Sequence, residues 1–204
     1  MASKSFVRRA RAAVALGLVV GACTLAVGAT PASAGLGITC PGSTVTPFAP
    51  WSDYANYAFV PNGGFEAGAA GWSLSGALVV PGNEGFFVHS TADRYALSLP
   101  AGSSATTPPM CIGLLSSKMR FVVKSARGAP QVKVQVLYRG LVSNVLGIFD
   151  GGTITPSGSW SPSPQIGMLG GVLPLLTASV QFRFVVSGGA ATIDDVYLDP
   201  MKSS

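Results

Sequence analysis

Lys118-Met119-Arg120-Phe121-Val122-Val123-Lys124 sets Met119, Phe121 and Val123 at alternate positions between Lys118, Arg120 and Lys124. That is the two-residue period of a strand with one dry and one wet face. The period returns in Val132, Val134 and Val136 against Lys133 and Gln135, and in Phe182 and Phe184 against Gln181 and Arg183. A half-buried sheet must cover its apolar side, and strands of this kind do so by packing one sheet on another. From Tyr54 onward no 3.6-residue apolar period persists beyond two turns. The predicted fold is therefore all-β, a two-sheet sandwich of about eight to ten strands.

Outward from these runs, short strand-like segments alternate with Gly, Pro, Ser and Asn clusters. The candidate strands are Tyr54 to Val60, Trp72 to Val80, Gly85 to Ser90, Tyr95 to Leu99, Lys118 to Ser125, Gln131 to Tyr138, Ser179 to Ser187 and Thr192 to Leu198. Leu169 to Leu176, flanked by Gly and holding Pro174, is the one place allowed a short helix or a wide apolar loop.

The N-terminus has the layout of an export signal. Lys4, Arg8, Arg9 and Arg11 precede an apolar run from Ala12 to Val27, and Pro31-Ala32-Ser33-Ala34 gives an Ala-x-Ala site before Gly35. Residues 1–34 read as a cleaved signal peptide, and no later stretch reaches about 18 consecutive apolar residues, so no membrane span is expected. The mature chain reads as secreted, as one domain and as a monomer, with an N-terminal extension at 35–53 and the β-sandwich at 54–204. Val20-Gly21-Ala22-Cys23 loosely resembles a lipoprotein box that would anchor the chain through Cys23. The residues after Cys23 stay apolar where a polar tether is the rule, so lipid anchoring is the minor alternative.

Four basic residues leave with the leader and no acidic one does, which takes the formal charge from +5 to +1, nine basic residues against eight acidic. A polyanion-binding role inferred from the whole-chain charge would belong to the leader, and nucleic acid is excluded as a partner on that ground. Of three cysteines, Cys40 and Cys111 alone remain after export. In an oxidising compartment they are expected to pair, tying the extension to the sandwich.

Two segments carry a family resemblance: Val60-Pro61-Asn62-Gly63-Gly64-Phe65-Glu66 with Gly71-Trp72 near the start, and Ile193-Asp194-Asp195-Val196-Tyr197-Leu198-Asp199 at the end. They resemble the opening and closing strands of galactose-binding-like jelly rolls, a superfamily that holds many carbohydrate-binding modules. The chain as a whole also resembles a family of secreted actinobacterial proteins. The resemblance implies a jelly-roll β-sandwich and a structural calcium held by Glu66 and Asp195, with Asp194 as a substitute. Calcium takes six to eight hard oxygens, which two carboxylates, turn carbonyls and water supply. The other reading of these acids is a set of exposed turn carboxylates without metal.

Trp72 is expected in the core. Trp160, in the polar turn Ser157-Gly158-Ser159-Trp160-Ser161-Pro162, either stacks on a sugar face or caps the sandwich. Lys118, Arg120, Lys133 and Arg183 share an outer face if the alternating strands lie side by side, as ordinary solvated residues or as a contact surface for anionic wall polymer.

Catalysis is disfavoured. The single histidine, His89, lies in an apolar run and reads as packed or hydrogen-bonded, and no Gly-x-Ser-x-Gly elbow accompanies it. With Glu66 and Asp195 assigned to calcium, the remaining acids give no evident glycosidase pair. The function expected is non-catalytic binding of a polysaccharide through Trp160, Arg120, Lys133 and Arg183. The alternatives are a structural or adhesive envelope protein and, less favoured, a hydrolase.

Overall fold

The computed structural model describes residues 42–111, 118–140, 145–167 and 179–199. Eleven strands run through them: β1 (Thr44–Val45), β2 (Tyr57–Phe59), β3 (Ser73–Ser75), β4 (Leu78–Pro81), β5 (Tyr95–Leu99), β6 (Ser104–Thr106), β7 (Lys118–Arg139), β8 (Val145–Ile154), β9 (Ser161–Pro162), β10 (Ile166–Gly167) and β11 (Ser179–Asp199). Among the described residues no helix is long and apolar enough to cross a membrane.

Two of these strands are far longer than the rest, and they pair antiparallel from Ser179 opposite Arg139 to Asp199 opposite Lys118. The four runs expected as separate strands at 118–125, 131–138, 179–187 and 192–198 are thus two strands that continue through their turn-like middles. Those middles form a corner. Gly128 and Gly188 have φ of 70° and 72°, the left-handed region open to glycine, and the register shifts between Ser187 and Gly189 and again between Ala190 and Ala191. A Cβ on Gly189 would lie 2.4 Å from the Arg127 carbonyl oxygen, so the two backbones approach as closely as glycine permits.

Beyond the corner each strand enters a different layer. The first half of β7 and the second half of β11 join β5, β4, β2, β1, β9 and β10, whereas the other halves join β6, β3 and β8. Strands that change layer at a bend are a recognised way to close a sandwich. The two layers face each other through Phe121 and Phe184, whose rings meet edge to face at 5.0 Å. Around them Met119, Val123, Val132, Val134, Val136, Phe182 and Ile193 form one buried core. Trp72 packs beside it at 7% exposure, its indole N–H donating to the Pro61 carbonyl at 3.1 Å.

Three expectations for the short strands are corrected. Trp72 to Val80 divides at Gly76, φ 68°, into β3 and β4, which pair with β6 and β5 in different layers. Gly85 to Ser90 is a loop, because the Glu84 carboxylate accepts the Phe86 and Val88 N–H groups and turns the chain around itself. β1, β6, β8, β9 and β10 fall outside the expected strands; Ser104–Thr106 is short and hydroxyl-rich, and β8 is glycine-interrupted with no buried residue. Leu169 to Leu176 lies outside the described residues, as do Cys23 and Cys40.

The outer face of the β5-containing layer is covered. Phe48, fully buried, meets Tyr57 and Tyr197 edge to face, and Trp51, Phe59, Val88 and Trp160 pack around this second cluster. Asp53 fastens the segment down: its Oδ2 accepts from the Tyr57 hydroxyl at 2.8 Å and the Gln165 amide at 3.0 Å and pairs with Arg120 Nη1 at 2.6 Å. Burial pushes the Asp53 carboxyl up, but the hydrogen bonds from Gln165, Tyr57, Arg120 and Ala55 outweigh it and hold the pKa at about 2.

If the corner sets the two-layer arrangement, Gly189→Ala destabilises the domain by about 2 kcal/mol, the usual scale for forcing atoms into filled space. Gly158→Ala, with nothing within 4 Å of the added carbon, changes stability by less than about 0.5 kcal/mol. Denaturant unfolding of the two variants measures the contrast.

Candidate functional site

The two segments that carry the family resemblance meet at the end of β11. Its register skips from Asp194 opposite Val122 to Tyr197 opposite Arg120, and Asp195 sits in this bulge with φ 47°. Bulges re-aim a side chain out of the alternating pattern. The turn after β2 clasps the bulge: Val60 N–H donates to the Val196 carbonyl at 3.0 Å and Val196 N–H to the Gly63 carbonyl at 3.2 Å. Asn62, φ 53°, holds the turn by accepting from Ala67 N–H and donating to the Gly68 and Ala70 carbonyls.

Four buried carboxylates gather there. Glu84, Asp194 and Asp195 are fully buried and Asp93 is 5% exposed. Asp194 accepts from the N–H groups of Asp195 and Glu84 at 2.9 and 3.1 Å. Asp195 Oδ2 accepts from His89 N–H at 3.0 Å, and Asp93 Oδ2 lies 2.7 Å from His89 Nδ1. The His89 ring is stacked on Phe59, centroids 3.8 Å apart and planes 4° from parallel. Asp195 Oδ1 has no hydrogen-bond partner. Burial, then the Asp195 charge, push the Asp194 carboxyl up to about 8. Burial likewise raises Asp195, to about 7, with His89 N–H opposing and the charges of Glu84 and Asp93, then a hydrogen bond with the Glu84 carboxyl, adding to the rise.

Of the three residues expected to hold calcium, Asp195 alone keeps a buried oxygen without a partner. Glu66 is exposed and its Oε1 accepts from Arg94 and Tyr95 N–H at 2.7 and 2.8 Å, while both Asp194 oxygens are taken by backbone N–H groups. The neighbours brought to Asp195 are instead Glu84, His89 and Asp93. The spacing of His89 and Asp93 and the Asn83-Glu84-Gly85 turn are the only traces of this in the sequence.

The residues expected to bind sugar divide between two faces, because β7 and β11 change layers at the corner. Lys118 and Arg120 therefore do not share a face with Lys133 and Arg183. Arg120 stands on the covered side, donating to the Ser163 carbonyl at 2.8 Å and lying 4.7 Å over the Phe48 ring. Trp160 is on that side too, half-buried, with Lys124 Nζ 4.5 Å over its ring.

Arg183 and Lys133 lie on the outer face of the β6-containing layer. Strand register aligns Ser73, Thr106, Arg183, Gln135 and Asp150 in one row and Ser75, Ser104, Val185, Lys133 and Thr153 in the next. Arg183 Nε approaches Thr106 Oγ1 at 3.4 Å, and Lys133 pairs with Asp150 at 2.8 Å. Parts of these rows line a shallow depression of about 380 Å³.

The raised carboxyl pKa values set the pH response of the metal-free protein. Asp194 and Asp195 hold protons in the folded state that they release when unfolded, so stability falls as pH rises from about 4 towards about 8. Melting curves in chelator across that window are expected to show the fall, and Asp194→Asn to flatten it.

No protein-family model matches the chain, and no curated protein matches it. Solved structures do. The enzymatically active domain of bacteriophage CBA120 tailspike protein 4 superposes with a TM-score of 0.53 and 14% identity, over 70% of this chain and 21% of that one. The CBM22-1–GH10 modules of Clostridium thermocellum xylanase 10B, complexed with xylohexaose, give 0.51 and 14%, over 72% and 29%. A CBM61 module in complex with β-1,4-galactotriose gives 0.49 and 18%, over 70% and 98%. This chain thus spans less than a third of the first two proteins, and at such identities the likeness is one of fold: a jelly-roll β-sandwich of the kind found in carbohydrate-binding modules.

Proposed function

We propose that this protein is a secreted, non-catalytic carbohydrate-binding module that lays a polysaccharide across the outer face of the β6-containing layer. The observation that carries the reading is the pair of polar rows there. Hydroxyl, guanidinium, amide and ammonium groups of Ser73, Arg183, Gln135, Ser104 and Lys133 stand side by side, exposed or partly exposed, with the buried Thr106 hydroxyl among them. A sugar chain presents hydroxyls that need such partners at repeated spacing, and a flat strand register supplies them. The xylohexaose complex of a similarly folded xylanase module supports the reading.

The placement of the acids supports the reading of binding without turnover. Glycoside hydrolysis uses two carboxyl groups facing one another across the substrate. Among the described residues of the two rows Asp150 is the one carboxylate, and it is ion-paired with Lys133. Export rests on the leader at 1–34, and the resemblance to secreted actinobacterial proteins is carried by sequence alone.

Affinity electrophoresis of the mature chain against wall and plant polysaccharides tests this. Arg183→Ala and Gln135→Ala are each expected to weaken binding roughly tenfold, the scale of a lost hydrogen bond to a charged or amide group. Trp160→Ala is expected to bind as the parent does. Failure to bind any polysaccharide favours the adhesive reading. Non-reducing peptide mapping of secreted protein is expected to show Gly35 as the first residue and a Cys40–Cys111 bridge. A loop of roughly seventy residues closed in this way contributes on the order of 4 kcal/mol.

A further inference from the structure

We infer that His89, Asp93 and Asp195 form a binding site for one divalent metal ion of the zinc class, set beside Gly64. This stands apart from the sugar-binding face, and neither reading needs the other. One donor atom from each residue lies within 4.8 Å of the other two. The stronger observation is Asp195 Oδ1. It is a carboxyl oxygen on a fully buried residue, and no N–H or hydroxyl donates to it, the Asp195 side chain meeting otherwise only the Glu84 carboxyl. Buried polar atoms are almost always satisfied, and an unsatisfied one calls for an ion, a water or a role.

The surroundings hold that oxygen in place and keep the space before it clear. Asp195 Oδ2 is fixed by His89 N–H, and the Asp195 N–H is fixed by Asp194. Such outer contacts orient a ligand carboxylate. A Cβ on residue 64 would lie 3.1 Å from Asp195 Oδ1 and 3.5 Å from Asp93 Oδ2. Gly64 does not adopt a left-handed φ, so what its missing side chain provides is room between the two carboxylates. The carboxyl groups of Glu84 and Asp194 stand beside it.

The imidazole selects the class of metal. Calcium takes six to eight hard oxygens, whereas one nitrogen and two carboxylate oxygens match zinc and its neighbours, with a further position for water. His89 is 38% exposed at its side chain and borders a cleft of about 430 Å³ lined by Thr46, Pro47, Phe59, Val88 and Tyr197. His89 is thus the edge of the site that meets solvent.

The test uses the mature protein stripped with chelator and titrated with Zn²⁺, Ca²⁺ or Co²⁺. One equivalent of Zn²⁺ is expected to bind by calorimetry and raise the melting temperature, and Co²⁺ to give visible absorption bands of a nitrogen-ligated site. His89→Ala, at a partly exposed position of the only histidine in the chain, is expected to fold, to weaken Zn²⁺ binding at least about tenfold and to lose the Co²⁺ spectrum. Asp195→Asn is expected to do the same. The proposal fails if His89→Ala binds Zn²⁺ like the parent, or if no stoichiometric binding occurs. It also fails if Ca²⁺ raises the melting temperature as Zn²⁺ does and His89→Ala leaves that rise intact.

Discussion

The structure depends on one continuous antiparallel ladder that turns a corner. β7 and β11 pair along almost their whole length, and a ladder so long, kept in one plane, would leave its apolar side bare. Bending it at Gly128, Gly188 and Gly189 folds that side onto itself, so Phe121 of one half of β7 meets Phe184 of the opposite half of β11. Every shorter strand adds to one half or the other. The hydrophobic effect supplies the drive to close; the missing side chains at the corner make closure sterically possible.

The far end of the ladder shows a second use of local irregularity. Regular pairing would have kept Asp194 and Asp195 on opposite faces of the sheet, one of them in the apolar core. The bulge instead brings both carboxylates among backbone N–H groups, where all but one of their oxygens are satisfied. Burying so many carboxyl groups together opposes their ionisation, and raised pKa values are the response. The Asp53–Arg120–Tyr57 cluster on the covered face shows the opposite solution, in which partners hold the carboxyl down.

The period-two runs made the layers, the core positions of Phe121, Val134 and Phe184, and the all-β class readable from the sequence. What they concealed is continuity. Ser125 to Pro130 has the composition of a loop, and nothing local says that pairing runs through it, so basic residues on two faces looked like one stripe. The Gly85 to Ser90 segment departs from its expected strand for a related reason. Phe86 and Phe87 read as strand residues, whereas the buried Glu84 carboxylate, which accepts the Phe86 and Val88 N–H groups, decides the conformation. Asp195 was legible from its motif, but its partners come from a loop a hundred residues away, and no linear spacing encodes that meeting. Trp160 stood in a polar turn, yet its environment is set by the distant Phe48 cluster.

The order in which partners occur along the chain has a kinetic side. β11, late in the sequence, is the central strand of both layers and hydrogen-bonds with β2, β5, β6 and β7. The strands before it can form only fragments with open edges, since the element that joins them has yet to be made. Tyr197 must find Phe59 across most of the domain, a contact with a large loop-closure entropy. Topologies dominated by such distant pairings fold on the millisecond-to-second scale rather than in microseconds. During that interval the unpaired edges of β2, β5 and β6 are open to pairing with other chains, so the same strand that unifies the native sandwich leaves its precursors open to aggregation until it arrives.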